Sequence, residues 1–189
     1  MSRKRTVPSM HVSQEALSPL LQDCLDQGQE VMLTVTGNSM CPFLRHQRDQ
    51  AVLVKPSDPT TLQPGDVLLY RRDNGQLVLH RIVERDDGRK RRIYGDREPY
   101  PSMHSSSPLT YTMLGDAQTD REPNVRPEQI LALAEAFIRK GRRWDCRSTT
   151  YRRRCLRWHR LLPVRTFLVW LWRLPYRVYN KCVCLFGRK

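Results

Sequence analysis

Two apolar runs, Val67-Leu68-Leu69-Tyr70 and Leu77-Val78-Leu79-His80-Arg81-Ile82-Val83, flank a short polar segment containing Asp73-Asn74-Gly75. Asn-Gly between strand-like runs supplies the positive φ angles that a tight turn demands, so this stretch predicts an antiparallel hairpin. The chain is thereby committed to a sheet, and His80 is placed inside a strand rather than on a loop.

Other segments join that sheet. Val31-Met32-Leu33-Thr34-Val35-Thr36, Ala51-Val52-Leu53-Val54-Lys55 and Tyr111-Thr112-Met113-Leu114 are rich in β-branched and apolar residues, which suit a pleated, half-buried surface. The run Ile130-Leu131-Ala132-Leu133-Ala134-Glu135-Ala136-Phe137-Ile138 reads as a helix by its alanines or as a buried strand by its ends. A strand is favoured, because an Arg139-Lys140-Gly141-Arg142 turn follows and the preceding elements call for a sheet. Ahead of the first strand, Ser18 as N-cap, Pro19 at the first helical position and Gly28 as a stop predict a short amphipathic helix carrying Leu20, Leu21, Cys24 and Leu25. Residues 84–110 become charged and then rich in Ser and Pro, which predicts a flexible insertion interrupted by Ile93-Tyr94-Gly95-Asp96.

Charge divides the chain. Residues 1–138 hold 17 Lys/Arg against 18 Asp/Glu, whereas residues 139–189 hold 16 against Asp145 alone. A nearly neutral body, residues 1–141, is therefore followed by a cationic tail, residues 142–189. The six cysteines are scattered without a C-x-x-C pair, so free thiols in a reducing compartment are expected and no zinc site. Met1-Ser2-Arg3-Lys4-Arg5 is basic like the start of a signal peptide, but no apolar run follows it, so neither a cleavable signal nor an N-terminal anchor is expected.

A candidate nucleophile lies where the first strand ends, in Thr36-Gly37-Asn38-Ser39-Met40-Cys41-Pro42-Phe43-Leu44. A serine hydroxyl is a poor nucleophile unless a base removes its proton and donors stabilise the oxyanion. Ser39 gains weight from the order of the segments downstream of it: Asp49 ahead of Val52-Leu53-Val54-Lys55, then Gly65-Asp66-Val67-Leu68-Leu69, then Val78-Leu79-His80-Arg81-Ile82-Val83, then Gly115-Asp116-Ala117-Gln118. That series, covering about residues 31–140, resembles the type I signal peptidases, in the branch that carries His rather than Lys ahead of Arg-Val/Ile. The resemblance implies a mainly β catalytic domain, Ser39 as nucleophile and His80 as base. For the acidic partner it implies Asp116, with Asp96 in Gly95-Asp96-Arg97-Glu98 as the weaker match. The chemistry is consistent: a neutral imidazole takes the hydroxyl proton when a carboxylate on its other nitrogen holds the productive tautomer. Many such peptidases have Ser at the position of Gly37, so the oxyanion hole here falls to the Ser39 N–H together with Asn38 or Thr36. Met40 is expected beneath the nucleophile or along the substrate cleft. The implied reaction is hydrolysis of a signal or leader peptide after small residues, with no metal or organic cofactor. A serine autopeptidase related to the SOS repressors shares the layout and is the second enzyme reading.

In the tail, Phe167-Leu168-Val169-Trp170-Leu171-Trp172 lies between Arg165 and Arg173, well short of the roughly 20 apolar residues that span a bilayer. Arginines interleaved with Trp and Tyr suit a helix at the headgroup region of the cytoplasmic membrane, in preference to nucleic acid. A helix packed on the body with a solvated cationic face stands beside that expectation. From another class altogether, the chain would be a non-catalytic membrane-surface or RNA-binding protein using this tail.

Overall fold

The hairpin forms. In the computed structural model, which describes residues 14–87, 91–92, 108–161 and 167, β3 (Val67–Arg71) pairs antiparallel with β4 (Leu77–Asp86), setting Leu68 opposite His80 and Val67 opposite Arg81. Its turn is wider than the tight Asn-Gly turn expected. Gly75 takes the left-handed conformation, φ 85°, and Asn74 does not. The Gly75 N–H donates to the Arg72 carbonyl and the Arg72 N–H to the Gln76 carbonyl, while the Asn74 side chain accepts the Gln76 N–H. Glycine carries the whole positive-φ requirement and asparagine contributes its side-chain oxygen instead.

Seven further strands complete an antiparallel sheet: β1 (Val31–Thr34), β2 (Gln50–Val54), β5 (Arg91–Arg92), β6 (Thr110–Leu114), β7 (Glu122–Val125), β8 (Ile130–Arg139) and β9 (Arg142–Asp145). Their order is β1-β2-β8-β3-β4-β6-β7, with β5 on β4 and β9 on β8. The mainly β expectation holds, and the 130–138 run is a strand. Its alanines fit because β8 is covered on both faces, giving Leu131, Ala132, Ala134 and Phe137 to one core cluster and Ile130 and Leu133 to the other, and a strand with no solvent face shows no clean alternation.

One face of the sheet packs Leu53, Val67, Leu69 and Phe137 against Leu21 and Leu25 of helix α1 (Gln14–Asp26), against Met40, Phe43 and Leu44, and against Tyr151 and Cys155 of helix α2 (Thr149–Arg160). The other gathers Leu68, Tyr70, Ile82, Tyr111 and Met113 beneath Leu62. Helix α1 begins four residues before the expected cap. Ser18 lies inside it, where its hydroxyl accepts from the Arg71 guanidinium, and Pro19 sits close enough to the N-terminus to remove a single early helical hydrogen bond.

Of the expected insertion, residues 84–86 continue β4, where Glu84 and Arg85 pair with β5 on one side and with Thr112 and Tyr111 of β6 on the other. Ile93-Tyr94-Gly95-Asp96 lies outside the described residues, as do the N-terminal basic segment and, apart from Phe167, the apolar run of the tail. The division expected at residue 141 falls within the β8–β9 hairpin, in which Phe137 faces Trp144. The described part of the tail is therefore seated on the sheet, with Tyr151, Cys155 and His159 buried and Arg152, Arg153, Arg154, Arg157 and Arg160 turned to solvent. No disulfide joins Cys24, Cys41, Cys146 or Cys155, and among the described residues no helix is long and apolar enough to cross a membrane.

Candidate active site

The loop that follows β1 presents Ser39 by burying its neighbours. Met40, Phe43 and Leu44 are 1%, 8% and 0% exposed, so the chain is nailed down immediately after the serine while Ser39 itself stays half-buried. The loop is closed at its base: the Val35 N–H donates to the Asp49 carbonyl at 2.9 Å and the Gln47 N–H to the Val35 carbonyl at 2.8 Å. Asp49 is fully buried and clasps the loop, accepting the Arg45 N–H at 3.0 Å and a two-pronged guanidinium from Arg48 at 2.7 Å. Gly37, with φ 85°, donates its N–H to His46 Nδ1 at 2.9 Å. Met40 is buried in the core, and Thr36 and Asn38 are exposed beside Ser39.

His80 is 2% exposed on β4. Strand alternation puts it on the face that holds Tyr70, whose ring centroid lies 6.2 Å away. Its Nδ1 is 3.4 Å from the Tyr70 hydroxyl and 3.5 Å from Glu122 Oε1. Tyr70 donates its proton to Glu122 Oε2 at 2.5 Å, leaving two oxygens as acceptors around Nδ1. The network therefore assigns the ring hydrogen to Nδ1 and leaves the Nε2 lone pair as the basic site. Burial pushes the imidazole down to about 4 against the opposing pull of the Glu122 carboxylate; Arg72 also lowers it, and Asp116 raises it. His80 is thus neutral at pH 7. Glu122 stays ionised: burial alone would raise it, but bonds from Arg72 and Tyr70 outweigh that and hold it below the usual carboxylate range.

Asp116, expected as the partner of His80, is bonded elsewhere. Arg81 faces the opposite side of β4 from His80 and lies 5.6 Å and 5.5 Å from the ring centroids of Phe43 and Tyr151. Its Nε and Nη2 reach the two Asp116 carboxylate oxygens at 2.8 and 2.7 Å, and His159 Nε2 is 2.9 Å from Oδ1. Burial works against the Arg81 charge, and the adjoining Asp116 carboxylate holds it well above even its usual value. Sequence reasoning missed Glu122, whose strand carries Pro123 and no apolar alternation.

Ser39 and the Asp116 turn are in direct backbone contact. The Ser39 carbonyl accepts the Ala117 N–H at 2.7 Å, and a Cβ on Gly115 would stand 2.8 Å from that same oxygen. Glycine is required there by close approach. Among the described residues no hydrogen bond joins the Ser39 hydroxyl to the His80 ring.

A sequence model of the Peptidase S24-like family matches residues 7–108. The chain belongs to the Peptidase S24-like family. That match includes Ser39 and His80 and ends before Asp116 and Glu122. Neither a curated protein nor a solved structure matches the chain. Membership in the Peptidase S24-like family brings serine peptidase or autopeptidase chemistry, related to that of the type I signal peptidases.

Proposed function

We propose that this S24-like chain is a serine endopeptidase acting in trans on leader or signal peptides, with Ser39 as nucleophile and His80 Nε2 as general base. The observation that carries the reading is the buried, neutral His80 whose Nδ1 faces Tyr70 and ionised Glu122. Ser39 Oγ attacks the scissile carbonyl as Nε2 takes its proton. The imidazolium so formed is stabilised by Glu122, and it returns the proton to the leaving amine. Water, deprotonated by the same nitrogen, then releases the acyl group from Ser39. The Ser39 backbone N–H makes no hydrogen bond among the described residues, so it is available to the oxyanion. Gly37 offers no hydroxyl and its N–H is held by His46, which leaves Asn38 or Thr36 as the second donor. The strand β1 is an edge of the sheet and runs into the Ser39 loop; an extended peptide adding to that edge would lead its scissile bond toward the serine.

The test uses a peptide with small residues before the cut and, as control, the Ser39→Ala protein. Parent protein should cut the peptide with turnover and the control should not. Shortening of the parent chain at a rate independent of its concentration, with the peptide intact, would favour the autopeptidase instead. Equal cutting by Ser39→Ala would remove both.

We propose the surface of an anionic membrane as its location, a reading that the exposed arginines of α2 support. Arg153, Arg157 and Arg160 project from α2 into solvent, and each basic residue near anionic lipid contributes about 1 kcal/mol. The protein is expected to float with anionic vesicles and not with neutral ones, and to be released at high salt. Arg153→Gln/Arg157→Gln/Arg160→Gln should float poorly; RNA binding without flotation would overturn the location. Point changes are needed here because deleting residues 142–189 would also remove β9 and Tyr151 from the fold.

A further inference from the structure

We infer that helix α2 braces the nucleophile, with Trp158 and His159 as positioning residues that act on Ser39 through the Gly115-Asp116-Ala117 turn. This rests on Ser39 being the nucleophile. Residue 116 is gripped twice by consecutive residues of α2: Trp158 Nε1–H donates to its backbone carbonyl at 2.7 Å, and His159 Nε2 meets its carboxylate at 2.9 Å. The adjoining Ala117 N–H holds the Ser39 carbonyl at 2.7 Å. Two hydrogen bonds and one residue therefore separate the helix from the serine backbone.

The same helix presses on the loop from its other side. The Trp158 ring meets Phe43 edge-on at 6.5 Å, and Tyr151 meets Phe43 at 5.9 Å. Tyr151 also receives a hydrogen bond from Arg81 Nη2 at 2.8 Å, the guanidinium that holds Asp116. Phe43 lies four residues after Ser39 and the Asp116 turn lies against it, so α2 contacts both supports of the nucleophile and touches no residue of the His80–Glu122 cluster in any described hydrogen bond. A simple core helix would need its apolar residues alone. The paired polar contacts from Trp158 and His159 to one residue fix the turn's position as well as its burial.

Misplacing a reacting group by about 1 Å costs up to about 100-fold in rate. Covalent labelling of Ser39 by a fluorophosphonate, followed over a range of probe concentrations, gives maximal rate and half-saturating concentration separately. Trp158→Phe keeps an aromatic ring against Phe43 and removes the N–H donor; His159→Leu removes the bond to Asp116; His159→Gln keeps an N–H able to reach it. The maximal rate is expected to fall about tenfold or more in Trp158→Phe and His159→Leu with half-saturation unchanged, and His159→Gln should recover most of the loss. Folded Trp158→Phe and His159→Leu proteins that label at the parent's maximal rate would overturn the brace, and His159→Gln as slow as His159→Leu would remove His159 from it. Where His159→Leu does not fold, Trp158→Phe decides. A parent protein labelled no faster than Ser39→Ala is a different result: it removes the nucleophile assignment itself.

Discussion

At pH 7 the His80→Gln protein is expected to be labelled at Ser39 about 10²–10⁴-fold more slowly than the parent, the range that general-base catalysis supplies, while keeping its fold. Glutamine approximates the volume of the ring and leaves Nε2 chemistry without a replacement. The pH profile of the parent sharpens the test. A solvent-exposed histidine would lose its base near pH 6.5, whereas burial holds His80 at about 4. Labelling is therefore expected to stay level from neutral pH down to about 5 and to decline as pH approaches about 4. The stability of the protein follows the same group: the folded value lies below the unfolded one, so the unfolded chain takes up the proton first. The contribution of neutral His80 is fully present above about 6.5 and is lost as pH falls toward 4. A labelling midpoint near 6.5 would mean that the base is an exposed group rather than buried His80.

The sheet was legible where a local signal was strong. Gly75 marked the hairpin, and β-branched runs marked β1, β2 and β6, because turn geometry and pleated packing depend on few neighbours. The strand β7 was not legible: Pro123 and Glu122 argue against a strand, and an edge position is what makes them tolerable. With it went the carboxylate nearest His80. The motif Gly115-Asp116 led to the right turn, but its carboxylate is bonded to Arg81 and His159, for a reason that sequence order hides. Neighbouring residues 80 and 81 face opposite sides of β4, and Leu114 pairs with Arg81, so the turn after β6 comes down on the arginine. Helix α2 did carry a signal, Tyr151, Cys155 and His159 at four-residue spacing, but the surrounding arginines made the segment read as an appendage.

The two carboxylates can be told apart by what their loss damages. Asp116 and Arg81 are both fully buried, and removing one member of a buried pair strands the other charge at a cost of about 3–5 kcal/mol. Asp116→Ala is therefore expected to lower the urea midpoint sharply, since a domain's whole stability is about 5–15 kcal/mol. Replacing both, as Arg81→Met with Asp116→Leu, should regain much of the loss because no charge is then left without its partner. Glu122→Gln has the opposite signature. Glu122 is 28% exposed, and glutamine still accepts from Tyr70, so the free energy of unfolding should change by about 1 kcal/mol or less. Its neutral amide no longer stabilises the imidazolium that forms at His80, and labelling of Ser39 should fall by about 10- to 100-fold. The acid limb should also move to lower pH, because Glu122 is the larger of the two charges, with Asp116, that favour protonated His80. The reverse pattern, an Asp116→Ala protein as stable as the parent yet unlabelled and a Glu122→Gln protein labelled at full rate, would restore Asp116 as the partner of His80 and reduce Glu122 to a bridge between Arg72 and Tyr70.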